Sequence, residues 1–220
     1  MEPEPERAAE PEPERAAELA QLRAAVAGAV REPDWLAAAL ARLPAEPDAI
    51  GRLFPAAGRR CGRGELPGAP AWSVDDAVRV LLLAALPGSG PALAGQVGQL
   101  YRYGDAAERR AVLRALPWLP VGDAAVPLLV DAIRTNDPRL LAAALGRYAV
   151  HLDHPTWRQA VLKCVFLGLP LAVVHDLTGR ADATLAGMLA DLAAERRAAG
   201  RDLPADAVAL LHRLTDPEED

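Results

Sequence analysis

The stretch Thr156–Pro170 reads TWRQAVLKCVFLGLP, and what it forms settles the class of the fold. Asp153 stands ahead of it as a helix cap, and Pro155 suits a first turn, where a missing N–H costs nothing. Wound at 3.6 residues per turn, Trp157 and Cys164 fall on one face, one turn either side of Val161. Thr156, Gln159 and Lys163 form a narrow polar stripe at i, i+3 and i+7. Val161, Leu162, Cys164, Val165 and Phe166 cover most of the remainder. The pattern predicts a helix that is mostly buried, which requires other elements packed round it.

Working outward, helix signals follow one another and strand signals do not. Pro at a first helical position or an Asx/Ser cap recurs at Glu32-Pro33, Glu46-Pro47, Ser73, Asp105, Asp137, Asp153 and Asp182. Ser73 with Asp76, and Asp105 with Glu108, have the spacing of capping boxes. Helix starts near Ser73, Pro91, Asp105, Asp123, Asp137 and Pro155 alternate in steps of 18 and 14, giving 32 residues per helix pair. Leu81, Leu113 and Leu145 then align, as do Val97, Leu129 and Val161. A helix pair repeated at this length predicts an all-α fold, a compact helical array with HEAT- or TPR-like α-solenoid pairs. The exception is Gly58–Trp72, GRRCGRGELPGAPAW, rich in Gly and Pro with three arginines near Cys61, which predicts a long connector before the repeats, with a mobile lid or a phosphate-binding loop as the alternatives.

Hydrophobic residues make up 51% of the 220, yet aromatics only 4%, so Ala, Leu and Val supply the apolar volume and favour helix. The identical octapeptide EPEPERAA stands at Glu2–Ala9 and Glu10–Ala17. Such density of Pro and Glu cannot bury apolar surface, and residues 1–15 are expected to be a disordered acidic tail. A single domain over 16–215 and a second acidic tail over 216–220 complete the expected organisation. The net charge of −6 is −5 in residues 1–18 and −4 in Asp216–Asp220, which leaves +3 for 19–215. No dense basic stripe interleaved with aromatics occurs, and no nucleic-acid partner is expected. The longest near-apolar run, Val161–Val174, is too short to span a bilayer. With an acidic N-terminus unlike a signal peptide, the expectation is a cytoplasmic protein.

DAIRTNDPR at Asp131–Arg139, TWRQAVLKCVFLGLPL at Thr156–Leu171 and LTGRADATLAGMLADLAAERRAAGR at Leu177–Arg201 resemble the EboA-domain family. The resemblance covers roughly Gly122–Arg201. It implies a predominantly helical protein encoded in ebo-type gene clusters associated with metabolite traffic. Those clusters also encode a prenyltransferase-like membrane protein, a TatD-like hydrolase and sugar-isomerase-like enzymes. The expected partners are therefore a small-molecule metabolite or other proteins of the cluster. No catalytic set carries over from the resemblance. The resemblance implies that relatives usually carry Arg, Tyr and His where this chain has Gly187, Leu192 and Ala194.

Lys163 is the one lysine among 24 basic residues. A lysine on a mostly buried helix must snorkel, pair with a carboxylate such as Asp131, Asp153 or Asp191, or face a polar cavity. In the last case Lys163 and Gln159 would contact an anionic or oxygen-rich ligand. Arg134 and Asn136, at the turn after DAI, are further ligand candidates, as are Tyr148, His151 and Asp153 in YAVHLDH. His151, Asp153 and His154 lack the i, i+4 spacing of helical metal ligands, and Pro155 breaks the helix among them, so no metal is expected. No cofactor motif or nucleophile motif occurs. The chain reads as an accessory or binding protein. The alternative is an enzyme acting on a small metabolite in a helical pocket that contains Lys163.

Overall fold

The computed structural model describes residues 12–215. Its contacts divide the chain within one helix into two compact units, the first up to Leu128 and the second from Leu129. The expectation from sequence is a single domain over 16–215. Of the expected tails, residues 1–11 and 216–220 lie outside the described residues, whereas residues 12–15 already belong to the first helix.

The fold is all-α apart from one small hairpin. The first unit holds α1 (Glu12–Ala27), α2 (Pro33–Arg42), α3 (Ile50–Cys61), β1 (Glu65–Leu66), β2 (Ala69–Ser73), α4 (Val74–Ala84), α5 (Gly90–Tyr103) and α6 (Ala106–Ala115). Every residue of α4 from Val74 to Leu83 is buried, and α1, α2, α3 and α6 all pack against it. The start of α6 is a complete capping box: Asp105 accepts from the Glu108 N–H at 2.9 Å, and Glu108 accepts from the Asp105 N–H at 3.0 Å. At Ser73 only half of a box forms. Its hydroxyl accepts from the Asp76 N–H, but the Asp76 carboxylate turns inward to the guanidinium of Arg110 at 2.8 Å.

The stretch 58–72 is not the open loop that its composition suggests. Gly58–Cys61 finish α3, and β1 pairs antiparallel with β2. Pro67 and Gly68 make the two-residue turn, with Gly68 at φ +75°, a conformation that suits glycine at the second central position. The strands are too short to show an alternation in sequence.

Buried charge holds α4 to its neighbours. Arg79 pairs with Asp75 at 2.6 Å, both side chains 5% exposed or less, and its Nε donates to the Phe54 carbonyl of α3 at 3.3 Å. Arg114 of α6 approaches Asp76 at 3.4 Å, donates to the Ala71 carbonyl at 2.8 Å and lies 3.5 Å over the Trp72 ring. That stacking fixes the hairpin against α6.

The second unit begins within α7 (Val126–Arg134) and holds α8 (Pro138–Ala144), α9 (His154–Leu167), α10 (Leu177–Arg180), α11 (Ala183–Ala198) and α12 (Ala205–Thr215). α7 starts three residues after the expected Asp123. Residues 122–125 form turns, and Pro127, having no N–H, fits only in the first helical turn. α8 packs on α9, and α11 on both α9 and α12. Trp157 is fully buried. The Arg180 guanidinium lies 4.7 Å over its ring and donates to the Ala149 and Leu152 carbonyls at 2.6 and 2.8 Å. Phe166, expected among the buried residues of α9, is 68% exposed. It stands seven residues from Gln159, on the polar side of the helix.

Candidate functional site

The lysine that the sequence singles out lies against backbone. Lys163 Nζ donates to the carbonyl of Ile133 at 2.7 Å and to that of Thr135 at 2.6 Å. Both oxygens belong to the C-terminal end of α7, where the last carbonyls lack intrahelical partners and the helix dipole is negative. Lys163 is thus a cap for α7 supplied by α9. Helix-end carbonyls are partners that a sequence pattern does not single out, unlike a carboxylate, because every residue carries one.

The other six candidates fall in three places. Arg134 and Asn136 are exposed at the same end of α7. Tyr148 is buried in the 3-10 turn Arg147–His151, its ring 4.7 Å from that of His151. Asp153 caps α9, accepting from the Thr156 N–H at 2.7 Å and from its hydroxyl at 3.1 Å. The bond from the Thr156 N–H holds this carboxyl below the usual range. Gln159 is exposed on α9.

A cleft of about 460 Å³ opens elsewhere in the second unit, and none of the seven lines it. Leu171, Val174 and Leu177 supply its apolar wall, and Asp176, Thr178, Asp206 and Arg213 its polar groups. Asp206 is locked by its own hydrogen bonds, one carboxylate oxygen to the Leu171 N–H at 2.7 Å and the other to the Ala207 N–H at 2.9 Å. Asp176 adopts φ +50°, the one positive φ outside glycine among the described residues. Its carboxylate lies over Gly179, where an added Cβ would meet Asp176 Oδ1 at 2.3 Å. A left-handed aspartate costs about 1–3 kcal/mol and persists where its surroundings hold it. The His175–Asp176 pair is visible in the sequence, but Asp206 and Arg213 lie 30 and 37 residues beyond Asp176, and no spacing rule joins them.

Neither thiol is poised for chemistry. Burial pushes Cys164 up to about 12, and burial together with Glu32 pushes Cys61 up to about 11. Both are protonated at neutral pH, whereas a nucleophilic cysteine needs its thiolate. Among the described residues no three His, Cys, Asp or Glu side chains gather as a metal site. No described helix is long and apolar enough to cross a membrane.

The model of one protein family, metabolite traffic protein EboA, matches residues 62–212. The chain belongs to the EboA family. The match extends the likeness seen over Gly122–Arg201 back to the hairpin, and it takes in the whole second-unit cleft except Arg213. No curated protein and no solved structure matches. Within the EboA frame, Gly187 is exposed on α11 with nothing within 4 Å of an added Cβ, Ala194 is exposed, and Leu192 is half-buried.

Proposed function

We propose that this EboA-family chain is a non-catalytic accessory protein of a metabolite-traffic pathway, working in the cytoplasm and holding a small metabolite or presenting it to a partner enzyme. The observation that carries the reading is the second-unit cleft, in which groups of both charge signs stand beside an apolar wall. Such a mixture orients a small oxygen-rich ligand. Arg213 would take an anionic or carbonyl oxygen, Thr178 and Asp176 would meet hydroxyl or amine hydrogens, and Leu171, Val174 and Leu177 would cover the carbon skeleton. The engagement of Lys163 with two carbonyls and the protonated thiols favour binding over covalent catalysis. The starts of α4, α6 and α8, each 32 residues after the last, with α4 against α6 in the first unit and α8 against α9 in the second, support HEAT- or TPR-like helix pairs within each unit.

The test is untargeted metabolite profiling of a strain lacking the gene. It is complemented with the wild-type chain or with Arg213→Gln/Thr178→Val. A set of metabolites should change in the deletion, return with the wild type and stay changed with the double variant. Full complementation by the double variant would remove the cleft from the function.

A further inference from the structure

The first unit carries a second cleft, of about 580 Å³, that the metabolite reading does not use. Three helices build it, each with one face at i, i+3 and i+4. α1 contributes Ala16, Leu19, Ala20 and, one turn on, Arg23. α2 contributes Ala37, Leu40 and Ala41. The end of α4 contributes Leu81, Ala84 and Ala85. Alanines keep α1 and α2 from filling the space between them, and leucines make its walls. Nine of the ten lining residues are apolar, and Arg23 is the single charge. Seven of the ten precede residue 62, ahead of the family match.

We infer that this cleft binds a small amphiphile, an apolar chain that ends in a carboxylate or phosphate. The volume lies within the roughly 300–1,000 Å³ of small-molecule sites. Among the lining side chains the only polar one is Arg23, whose guanidinium can pair with an anion through two parallel hydrogen bonds. A polar or cationic ligand would find only Ala and Leu beside that positive charge. The occupant is therefore set by charge complementarity at Arg23 and by the apolar remainder.

The experiment is a fluorescence titration of the full chain with 11-(dansylamino)undecanoic acid. Dodecanoate, dodecyl phosphate, dodecylamine and dodecanol serve as competitors. The two anions should displace the probe at concentrations about tenfold below those of the amine and the alcohol. Arg23→Gln should weaken both anions about tenfold and leave dodecanol unchanged. Ala41→Phe, which fills the space from α2, should abolish probe binding at an unchanged thermal midpoint. Ala37→Leu is a smaller filling change and keeps the test decisive should Ala41→Phe not fold. A saturable site that prefers dodecanoate to dodecyl phosphate, or the reverse, identifies which head it takes, and either supports the inference. Absence of probe binding would overturn it and leave the cleft as a seat for a partner's apolar helix. Binding indifferent to head-group charge, or to both filling variants, would overturn it as well. Arg213→Gln/Thr178→Val, which alters only the second-unit cleft, should leave probe binding unchanged; loss of binding in that variant and not in Arg23→Gln would place the probe in the second unit and overturn the inference.

Discussion

The ammonium of Lys163, on α9, lies 2.6 Å from the carbonyl oxygen of Thr135, just past the end of α7. With the Ile133 carbonyl at 2.7 Å, this makes a cross-helix cap in which one positive charge answers two orphaned acceptors and the negative end of a dipole. Arginine supplies the other 23 positive charges of the chain. Here a compact ammonium fits between two carbonyls where a planar fork would be wide. Lys163→Met should therefore destabilise the protein by about 2–3 kcal/mol, and Lys163→Arg should recover only part of the loss. Urea denaturation followed by circular dichroism measures both. A methionine variant as stable as the wild type would show that the amine lies in solvent.

The Asp75–Arg79 pair makes a stronger demand, since both partners are almost wholly buried. Arg79→Met leaves the Asp75 carboxylate without its cation and should cost about 3–5 kcal/mol. Replacing both, as Asp75→Leu/Arg79→Met, should restore much of that loss, because a buried pair returns little over well-packed apolar residues. A double variant no more stable than Arg79→Met in chemical denaturation would contradict this account of the pair.

Acid stability has a local origin at Asp182. It caps α11 at the Leu185 N–H and accepts three hydrogen bonds from Arg158, two from Nε shared between its oxygens and one from Nη2. The hydrogen bonds from Arg158 hold its carboxyl below the usual range. A lowered folded value means that this stabilisation is complete above the unfolded value, near 3.9, and disappears as pH falls through the folded one. Asp182→Asn should lower the thermal midpoint at pH 7 and flatten its decline between about pH 4 and pH 2. An equally steep acid limb in the variant would assign the effect to other carboxylates.

Two glycines of the second unit should respond oppositely to alanine. Gly187 lies inside α11 with open space round an added Cβ, so Gly187→Ala should stabilise by about 0.5–1 kcal/mol. Gly168 ends α9 at φ +71°, with the Leu169 N–H bonded back to the Cys164 carbonyl. Gly168→Ala should cost about 1–2 kcal/mol. Thermal unfolding of the two variants side by side gives the signs, and equal signs would contradict the assignment.

What the sequence made legible follows from the range of the forces involved. Caps act within three residues, so Asp105, Asp137, Asp153 and Asp182 could each be recognised, and each accepts the backbone N–H of its helix. Trp157 and Cys164 could be placed in the core by their phase on α9. The hairpin escaped notice because two-residue β1 has no period. Asp76 was legible as a capping partner but not as a buried carboxylate, since its partners Arg110 and Arg114 come from another helix. Lys163 was legible as unusual, but the carbonyls that receive it have no side-chain signature. The second-unit cleft depends on Asp176, Asp206 and Arg213 meeting through packing, which no local pattern encodes.

In the proposed function the cleft of Asp176, Thr178, Asp206 and Arg213 holds a small metabolite without transforming it. Mass spectrometry of what denaturation releases from the purified full-length chain tests this directly. One small oxygen-rich compound is expected, near one per chain. It should be unchanged after prolonged incubation and absent from Arg213→Gln/Thr178→Val folded to the wild-type thermal midpoint. Equal recovery of the compound from that variant, or its conversion to a product during incubation, would contradict the account.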